Sequence, residues 1–487
     1  MATGGLVDLT GAKARTAHGY IDEQRETIAG ISDRIWELAE VGLHEERSAA
    51  ALAEALAAAG FEVRLGAGGM PSGLVATWGE GRPVIGFLGE YDALPGLSQQ
   101  ATTTQAELRP GGAGHGCGHN LLGAGAFGAV LGLQREMVAR GLPGTLKFFG
   151  CPAEENFGGK AHMAREGLFS DCDACLTWHP ASVNTVRPAA SLAVSSMNVT
   201  FRGRTAHAAA DPFNGRSALD AVQLMNLGVE FLREHVPSQA RLHYVITNGG
   251  GQPNVVPPEA TVWYYVRAAR RDQCDELYER VLRCAGGAAT MTETSHEIEL
   301  LDAIYELLPN RTLEGLLREC LVRVGPPPFD QADQAFAAEI SRSFRPGQKE
   351  DSLKQLFLGE PVPDELLAQT LNTTVVNLPL DHSEPRGSTD VGDVSWSCPT
   401  SQFRMACHAL GTPGHSWQYV AQAGMSIGHK GMLQAAKLLA EAGLELLTDP
   451  VLLARAREEF VAKTGGKPYK CAMPDDFKPP FHQLANK

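Results

Sequence analysis

Thr145-Leu146-Lys147-Phe148-Phe149-Gly150-Cys151-Pro152-Ala153-Glu154-Glu155 is a compact, mostly apolar run that ends in two adjacent carboxylates. A short run of this kind, bounded by turn residues, reads as a strand buried on both faces. Two other stretches share the pattern: Val84–Leu88 leads to Asp92, and Ala174–Thr177 leads to His179. Helix-like stretches at Leu121–Ala139 and Lys160–Glu166 separate the three. Alternating strand and helix imply a mixed, mostly parallel α/β sheet with helices on both faces. Ligands of such sheets bind beyond the carboxyl ends of the strands. Here three strand ends deliver acid or imidazole groups to one edge.

The loop Gly114-His115-Gly116-Cys117-Gly118-His119-Asn120 sets a thiol and an imidazole two residues apart on a backbone nearly free of side chains. Glycines let the chain bend around an ion, and Cys with His favours a borderline-soft cation such as zinc. Pro413-Gly414-His415-Ser416 adds another imidazole. Cys117, His119, Glu155, His179 and His415 are thus five candidate ligands, more than one tetrahedral ion with an open position needs. Two ions would use them, and hydrolysis is the reaction such a pair supports. Beside the ligand Glu155, Glu154 is free to act as general acid and base. Asp92 is expected behind a ligating imidazole, fixing its tautomer through the other ring nitrogen.

Upstream, residues 21–59 carry helical spacing, and Phe61–Leu65 with Leu74–Trp78 reads as a hairpin. From Ser191 the rhythm changes: strand Val194–Phe201, helix Ser217–Glu234, strands Leu242–Thr247 and Thr261–Arg267, helix Asp272–Ala285 and strand His296–Leu301. This β-α-β-β-α-β order is the ferredoxin-like split unit. We therefore expect a domain at 191–302 inserted between catalytic parts at 1–190 and 303–487, with a polar, helical insertion at about 303–370 broken by Pro326-Pro327-Pro328. Gly431–Ala442 reads as a catalytic-domain helix, and the tail after Thr464 as an extended strap.

At 487 residues the chain exceeds one ordinary core. A net charge of −14 argues against nucleic acid or an anionic membrane as partner. Met1–Tyr20 shows no signal-peptide pattern, no stretch has ~20 consecutive apolar residues, and the ten cysteines lack the spacing of a secreted scaffold. A cytoplasmic protein is expected. Cys172-Asp173-Ala174-Cys175 has no second CxxC and flanks a strand, so it is expected to be structural. Gly123-Ala124-Gly125-Ala126-Phe127-Gly128 fits a dinucleotide fingerprint but follows the metal loop rather than a strand, so tight helix packing accounts for it better. His44, His162, His235, His243 and His382 are expected to be structural or solvated.

Taken together, Gly89-Glu90-Tyr91-Asp92-Ala93-Leu94-Pro95, Gly116-Cys117-Gly118-His119-Asn120, Cys151-Pro152-Ala153-Glu154-Glu155, Trp178-His179-Pro180, Gly203-Arg204-Thr205-Ala206-His207, Pro253-Asn254-Val255-Val256-Pro257, Gly387-Ser388-Thr389-Asp390 and Gly411-Thr412-Pro413-Gly414-His415-Ser416 resemble the dinuclear metallopeptidase family of aminoacylases, hippurate hydrolases, carboxypeptidase G and indoleacetyl-amino-acid hydrolases. The aminobenzoyl-glutamate utilisation branch is most similar. The resemblance implies a zinc-exopeptidase-like fold with two divalent ions (Zn or Mn) on the five ligands, and Glu154 as acid/base. It further implies that His207 polarises the scissile carbonyl from a partner subunit's lid, that Asn254 and Arg267 grip substrate, and that the lid mediates a homodimer or a heterodimer with a related subunit. Asn120 and Glu90 stand where the wider family usually has Asp. The implied reaction is hydrolysis of an N-acyl or N-aroyl amino acid, specifically p-aminobenzoyl-glutamate. A dipeptide substrate keeps the same site, and a non-catalytic metal-binding subunit of a heteromeric complex is the rival of another class.

Overall fold

The computed structural model describes residues 13–186, 190–379 and 387–482; His382 and the first twelve residues of the Met1–Tyr20 stretch lie outside them. Among the described residues the strands are β1 (Glu62–Leu65), β2 (Leu74–Glu80), β3 (Val84–Glu90), β4 (Gly144–Cys151), β5 (Ala174–Ala181), β6 (Ala193–Arg202), β7 (Arg241–Asn248), β8 (Glu259–Ala268), β9 (Ser295–Ile304) and β10 (Thr400–Ala406).

The first sheet runs β1-β2-β4-β3-β5-β10. β4, β3, β5 and β10 are parallel neighbours, and only β2 opposes the rest. All seven residues of β3 are buried, which is why its sequence shows no alternation. Register places Glu90 opposite Cys151 at the ends of β3 and β4, so the chain leaves both strands at one edge and carries Asp92, Glu154 and Glu155 there. The edge strand β10 was not legible in the sequence: polar residues interrupt the apolar run in Thr400-Ser401-Gln402-Phe403-Arg404-Met405-Ala406, although Thr400 and Ser401 are buried and only Arg404 is exposed.

The helix His119–Arg140 begins at a candidate ligand and packs in the main core with Ser426–Thr448. Its glycines allow this close approach. A Cβ at Gly123 would lie 2.6 Å from the Glu90 carbonyl oxygen, and one at Gly125 2.8 Å from the ring of Trp178, which is fully buried. The Gly123–Gly128 run thus lies inside a helix and serves packing. Overfilling a tight core costs ~1–3 kcal/mol. Gly125→Val is therefore expected to lower the stability of the fold by about 2–3 kcal/mol, despite the better helix propensity, measured as a lower urea midpoint at unchanged m-value.

The second sheet runs β7-β8-β6-β9, antiparallel throughout, which is the 4-1-3-2 order of a β-α-β-β-α-β unit. Helices Ala218–Leu232 and Arg271–Thr292 cover one face, burying Met197, Val199, Phe201, Val262, Tyr264 and Val266. Alternation sends Ser196, Trp263, Tyr265 and Arg267 to the other face. The chain enters at Ala193 and leaves at Ile304, side by side at one end. There Arg271 donates through Nη1 to the carbonyls of Val194 (2.8 Å) and Ile304 (3.0 Å) and through Nη2 to Ser195 Oγ (2.7 Å).

Residues 303–370 carry the helices Arg311–Val324, Gln331–Ser341, Gln348–Leu356 and Asp364–Ala368. The first buries Leu313, Leu317 and Cys320 in the main core. After Pro450–Thr464 the chain runs to His482 without helix or strand, and Tyr469 donates to Asp393 Oδ1 at 2.6 Å. No helix among the described residues is long and apolar enough to cross a membrane.

Candidate metal centre

Four segments meet at the carboxyl edge of the first sheet. Gly118, with φ of +77°, turns the chain between Cys117 and the first helical residue His119. Ala153 (φ +56°) turns β4 outward into Glu154 and Glu155. Asp92 ties these two segments together: its Oδ1 accepts from His119 Nδ1 at 2.7 Å and its Oδ2 from the Glu155 amide at 2.9 Å. With Nδ1–H spent on Asp92, the Nε2 of His119 points into the site. Asp92 thus lies behind the His119 imidazole.

His179 repeats the device, because its Nδ1–H donates to the Pro180 carbonyl at 2.7 Å and leaves Nε2 facing Cys117 Sγ at 3.3 Å. Two donors of one zinc, bound at ~2.3 Å (S) and ~2.1 Å (N), have about that separation. His415 is held in the left-handed region (φ +52°), its amide bonded to the Gly116 carbonyl, with Nε2 3.5 Å from Glu155 Oε2.

These side chains form two triads, Cys117-His119-His179 and Cys117-Glu155-His415, each with ligand atoms within 4.8 Å of one another. Cys117 belongs to both. His119 Nε2 and Glu155 Oε1 are buried and make no hydrogen bond, although a Glu90 oxygen stands 3.2 Å from the former. Orphaned buried polar atoms are costly unless something binds them. Cys117, His119, Glu155, His179 and His415 would hold divalent metal ions, which their thiol, imidazole and carboxylate donors fit.

Burial sets the protonation of this cluster. It pushes Glu154 well above the usual carboxylate range, reinforced by the charges of Glu90, Asp390 and Glu155. It also raises the Cys117 thiol, with Glu155 adding to the rise. Burial and the neighbouring His119 lower His179 to about 4, so its ring is neutral, as a ligand must be. For His119, burial opposes the charged form, but Asp92, Cys117 and Glu90 outweigh it and raise the pKa. An ion here replaces that proton's charge.

Three further residues line the centre without having been singled out from sequence as a cluster. Lys160, with no exposed surface, places Nζ 2.6 Å from Glu90 Oε1 and 2.6 Å from Asp390 Oδ1. The other Glu90 oxygen is 3.2 Å from His119 Nε2, and Glu90, His119 and Glu154 form a third group within 4.8 Å. Glu90 and Asp390 lie in quoted motifs, but Lys160 sits in a Gly-Gly-Lys-Ala stretch with no sequence signal for burial.

The second-sheet candidates lie elsewhere. His207 is exposed; its Nδ1 accepts from the amides of Ala209 and Ala210 (3.2 and 3.1 Å), which leaves the proton on Nε2. Asn254 is also exposed, and its carbonyl accepts from the Ala208 amide at 2.9 Å, so both residues share one tip. Neither joins the metal triads. Arg267, at the opposite end of β8, is half-buried, with Nη1 donating to Ser388 Oγ at 2.8 Å and its Cζ 5.1 Å from the Tyr265 ring centroid. Cys172 and Cys175 are buried free thiols outside every ligand group found among the described residues.

The chain matches the peptidase family M20/M25/M40 over residues 86–345. It is 42% identical over 466 residues to a p-aminobenzoyl-glutamate hydrolase subunit of Escherichia coli, covering 94% of this chain and 97% of that one. It is 29% identical to the mouse Xaa-Arg dipeptidase, covering 92% of each. Among solved structures, an aminobenzoyl-glutamate utilization protein from Klebsiella pneumoniae superposes with a TM-score of 0.60 at 20% identity, over 88% of this chain and 97% of that one, which shows the shared fold. The mixed sheet, the catalytic-type cluster at its carboxyl edge and these similarities agree: the chain belongs to the M20/M25/M40 peptidase family of metal-dependent amidohydrolases.

Proposed function

We propose that this enzyme hydrolyses the amide bond of an N-acyl or N-aroyl amino acid, with p-aminobenzoyl-glutamate as substrate and p-aminobenzoate and glutamate as products. The observation that carries the reading is Glu154, outside the two ligand triads that share Cys117 and grouped instead with Glu90 and His119. When bound, two divalent ions polarise the scissile carbonyl and lower the pKa of the attacking water. Glu154 takes the proton of that water and returns it to the leaving amine. His207, protonated at Nε2, donates to the developing oxyanion from a partner subunit, Asn254 arrives with it on the same tip, and Arg267 of the chain that carries the metal ligands holds the substrate carboxylate.

The aroyl substrate follows from the likeness to the E. coli hydrolase subunit, whose name also supports assembly with a related subunit. A homodimer through the lid is supported by exposed apolar residues on β7, Tyr244, Val245 and Ile246. The likeness to the Xaa-Arg dipeptidase favours a dipeptide as second reading. Parallel assays of p-aminobenzoyl-glutamate and an Xaa-Arg dipeptide on metal-loaded protein decide between them, and no hydrolysis of either rejects both. Ten free cysteines support a cytoplasmic, reducing location.

Zinc suits the Cys and His donors, while manganese suits the carboxylates. Elemental analysis of undialysed protein is expected to find close to two such ions per chain. Chelation is expected to abolish hydrolysis and re-addition to restore it; metal-free protein that cannot be activated overturns the reading.

A further inference from the structure

Among the described residues Arg267 has no ion-pair partner: no carboxylate lies within ion-pair distance, its Nε is buried and unpartnered, and its one hydrogen bond goes to the neutral hydroxyl of Ser388. Burial lowers its pKa below the usual arginine value. A guanidinium held in this way is an anion receptor whose charge no direct ion pair cancels; Asp302 and Glu154 act on it only through space. A carboxylate at position 388 would orient the fork equally well but would neutralise it. A hydroxyl orients it and leaves the charge for a ligand.

Ser388 belongs to a segment fixed at both ends. The Gly387 carbonyl accepts from the Leu192 amide at 2.8 Å, where the chain enters the second sheet. Asp390 is fully buried, with Oδ1 2.6 Å from Lys160 Nζ and Oδ2 2.8 Å from the Lys160 amide. Lys160 lies five residues past Glu155 and also holds Glu90, at the end of β3. One buried ammonium therefore joins the strand end, the Glu154–Glu155 turn and the segment carrying Ser388. It also pairs the two buried carboxylates, Asp390 and Glu90.

We propose that Ser388 is a positioning residue for substrate recognition: anchored by the buried Lys160–Asp390 pair, its hydroxyl aims the Arg267 guanidinium at the substrate's carboxylate while leaving its charge free. The inference rests on the reading above, in which Arg267 takes that carboxylate. It ties the recognition arginine on β8 to the metal-site wall by three contacts of 2.6–2.8 Å.

The test uses the metal-loaded full chain and two probes, p-aminobenzoyl-glutamate and the same compound with its α-carboxylate converted to the amide. Ser388→Ala is expected to raise KM for the acid about tenfold, the loss of one charge-assisted hydrogen bond, with kcat, metal content and KM for the amide nearly unchanged. Ser388→Thr, which keeps the hydroxyl, is expected to restore KM. Lys160→Met, if it folds, is expected to weaken the acid in the same selective way. Free glutamate titrated calorimetrically into wild type and Ser388→Ala gives a readout independent of turnover, with about tenfold weaker binding expected in the variant. An unchanged KM and unchanged glutamate binding in Ser388→Ala, or equal losses for acid and amide, overturn the proposal. Failure of wild type to hydrolyse any acylated amino acid, with selective glutamate binding intact, overturns the functional reading instead.

Discussion

Glu154→Gln is expected to retain the fold and both ions but to lose amide hydrolysis by ~10²–10⁴-fold, the usual value of a general acid/base. The amide is nearly isosteric with the carboxylate, yet it cannot accept the proton of the attacking water. Glu154 is absent from both triads that share Cys117, so its replacement removes no donor from them. Glu155→Gln is the control: it removes a member of the Cys117-Glu155-His415 triad, so metal content falls with activity. Elemental analysis alongside turnover separates the two. Full activity in metal-loaded Glu154→Gln moves the proton transfer to another group, and Glu90, in the same 4.8 Å group as Glu154 and His119, is the next to substitute.

His207→Ala is expected to lower kcat by ~10²–10³-fold, the loss typical of one oxyanion donor, with metal content and stability unchanged. Its imidazole is exposed and its Nδ1 is already occupied by two backbone amides, so only Nε2–H is available to donate. The residue stands apart from the ligand triads, and mixing decides how it reaches a substrate. Hybrids of Glu154→Gln and His207→Ala subunits contain one wholly wild-type site if the histidine crosses the dimer, and part of the activity returns. Verified hybrids without recovery reject action across the interface.

The parts of this arrangement legible in the sequence are those set by short range. Strands buried on both faces leave continuous apolar runs, so β3, β4 and β5 announced themselves, and with them the edge to which Asp92, Glu154 and His179 are delivered. Cys117 and His119 were legible because two glycines frame a pair whose chemistry suits a metal. β10 was hidden because Thr400, Ser401, Gln402 and Arg404 break its apolar run, even though Thr400 and Ser401 are enclosed. The Lys160–Glu90–Asp390 cluster was hidden for another reason. Buried charges pair across hundreds of residues, and neither periodicity nor local composition records which lysine is enclosed.

Both chain crossings into the second sheet lie at one end, clamped by Arg271, and this makes the sheet a lever with a fixed fulcrum. Arg267 sits at the fulcrum, opposite Val194 in register, whereas Asn254 and His207 sit beyond the far end of β8 and β6. Eight residues of strand separate Arg267 from Glu259 at the other end of β8, about 27 Å at ~3.4 Å per residue. A rigid swing of ~20° about the clamp carries the tip about 9 Å by that same length while Arg267 barely shifts. On the proposed reading, such a swing would move only the tip carrying His207 and would leave the Arg267–Ser388 contact in place.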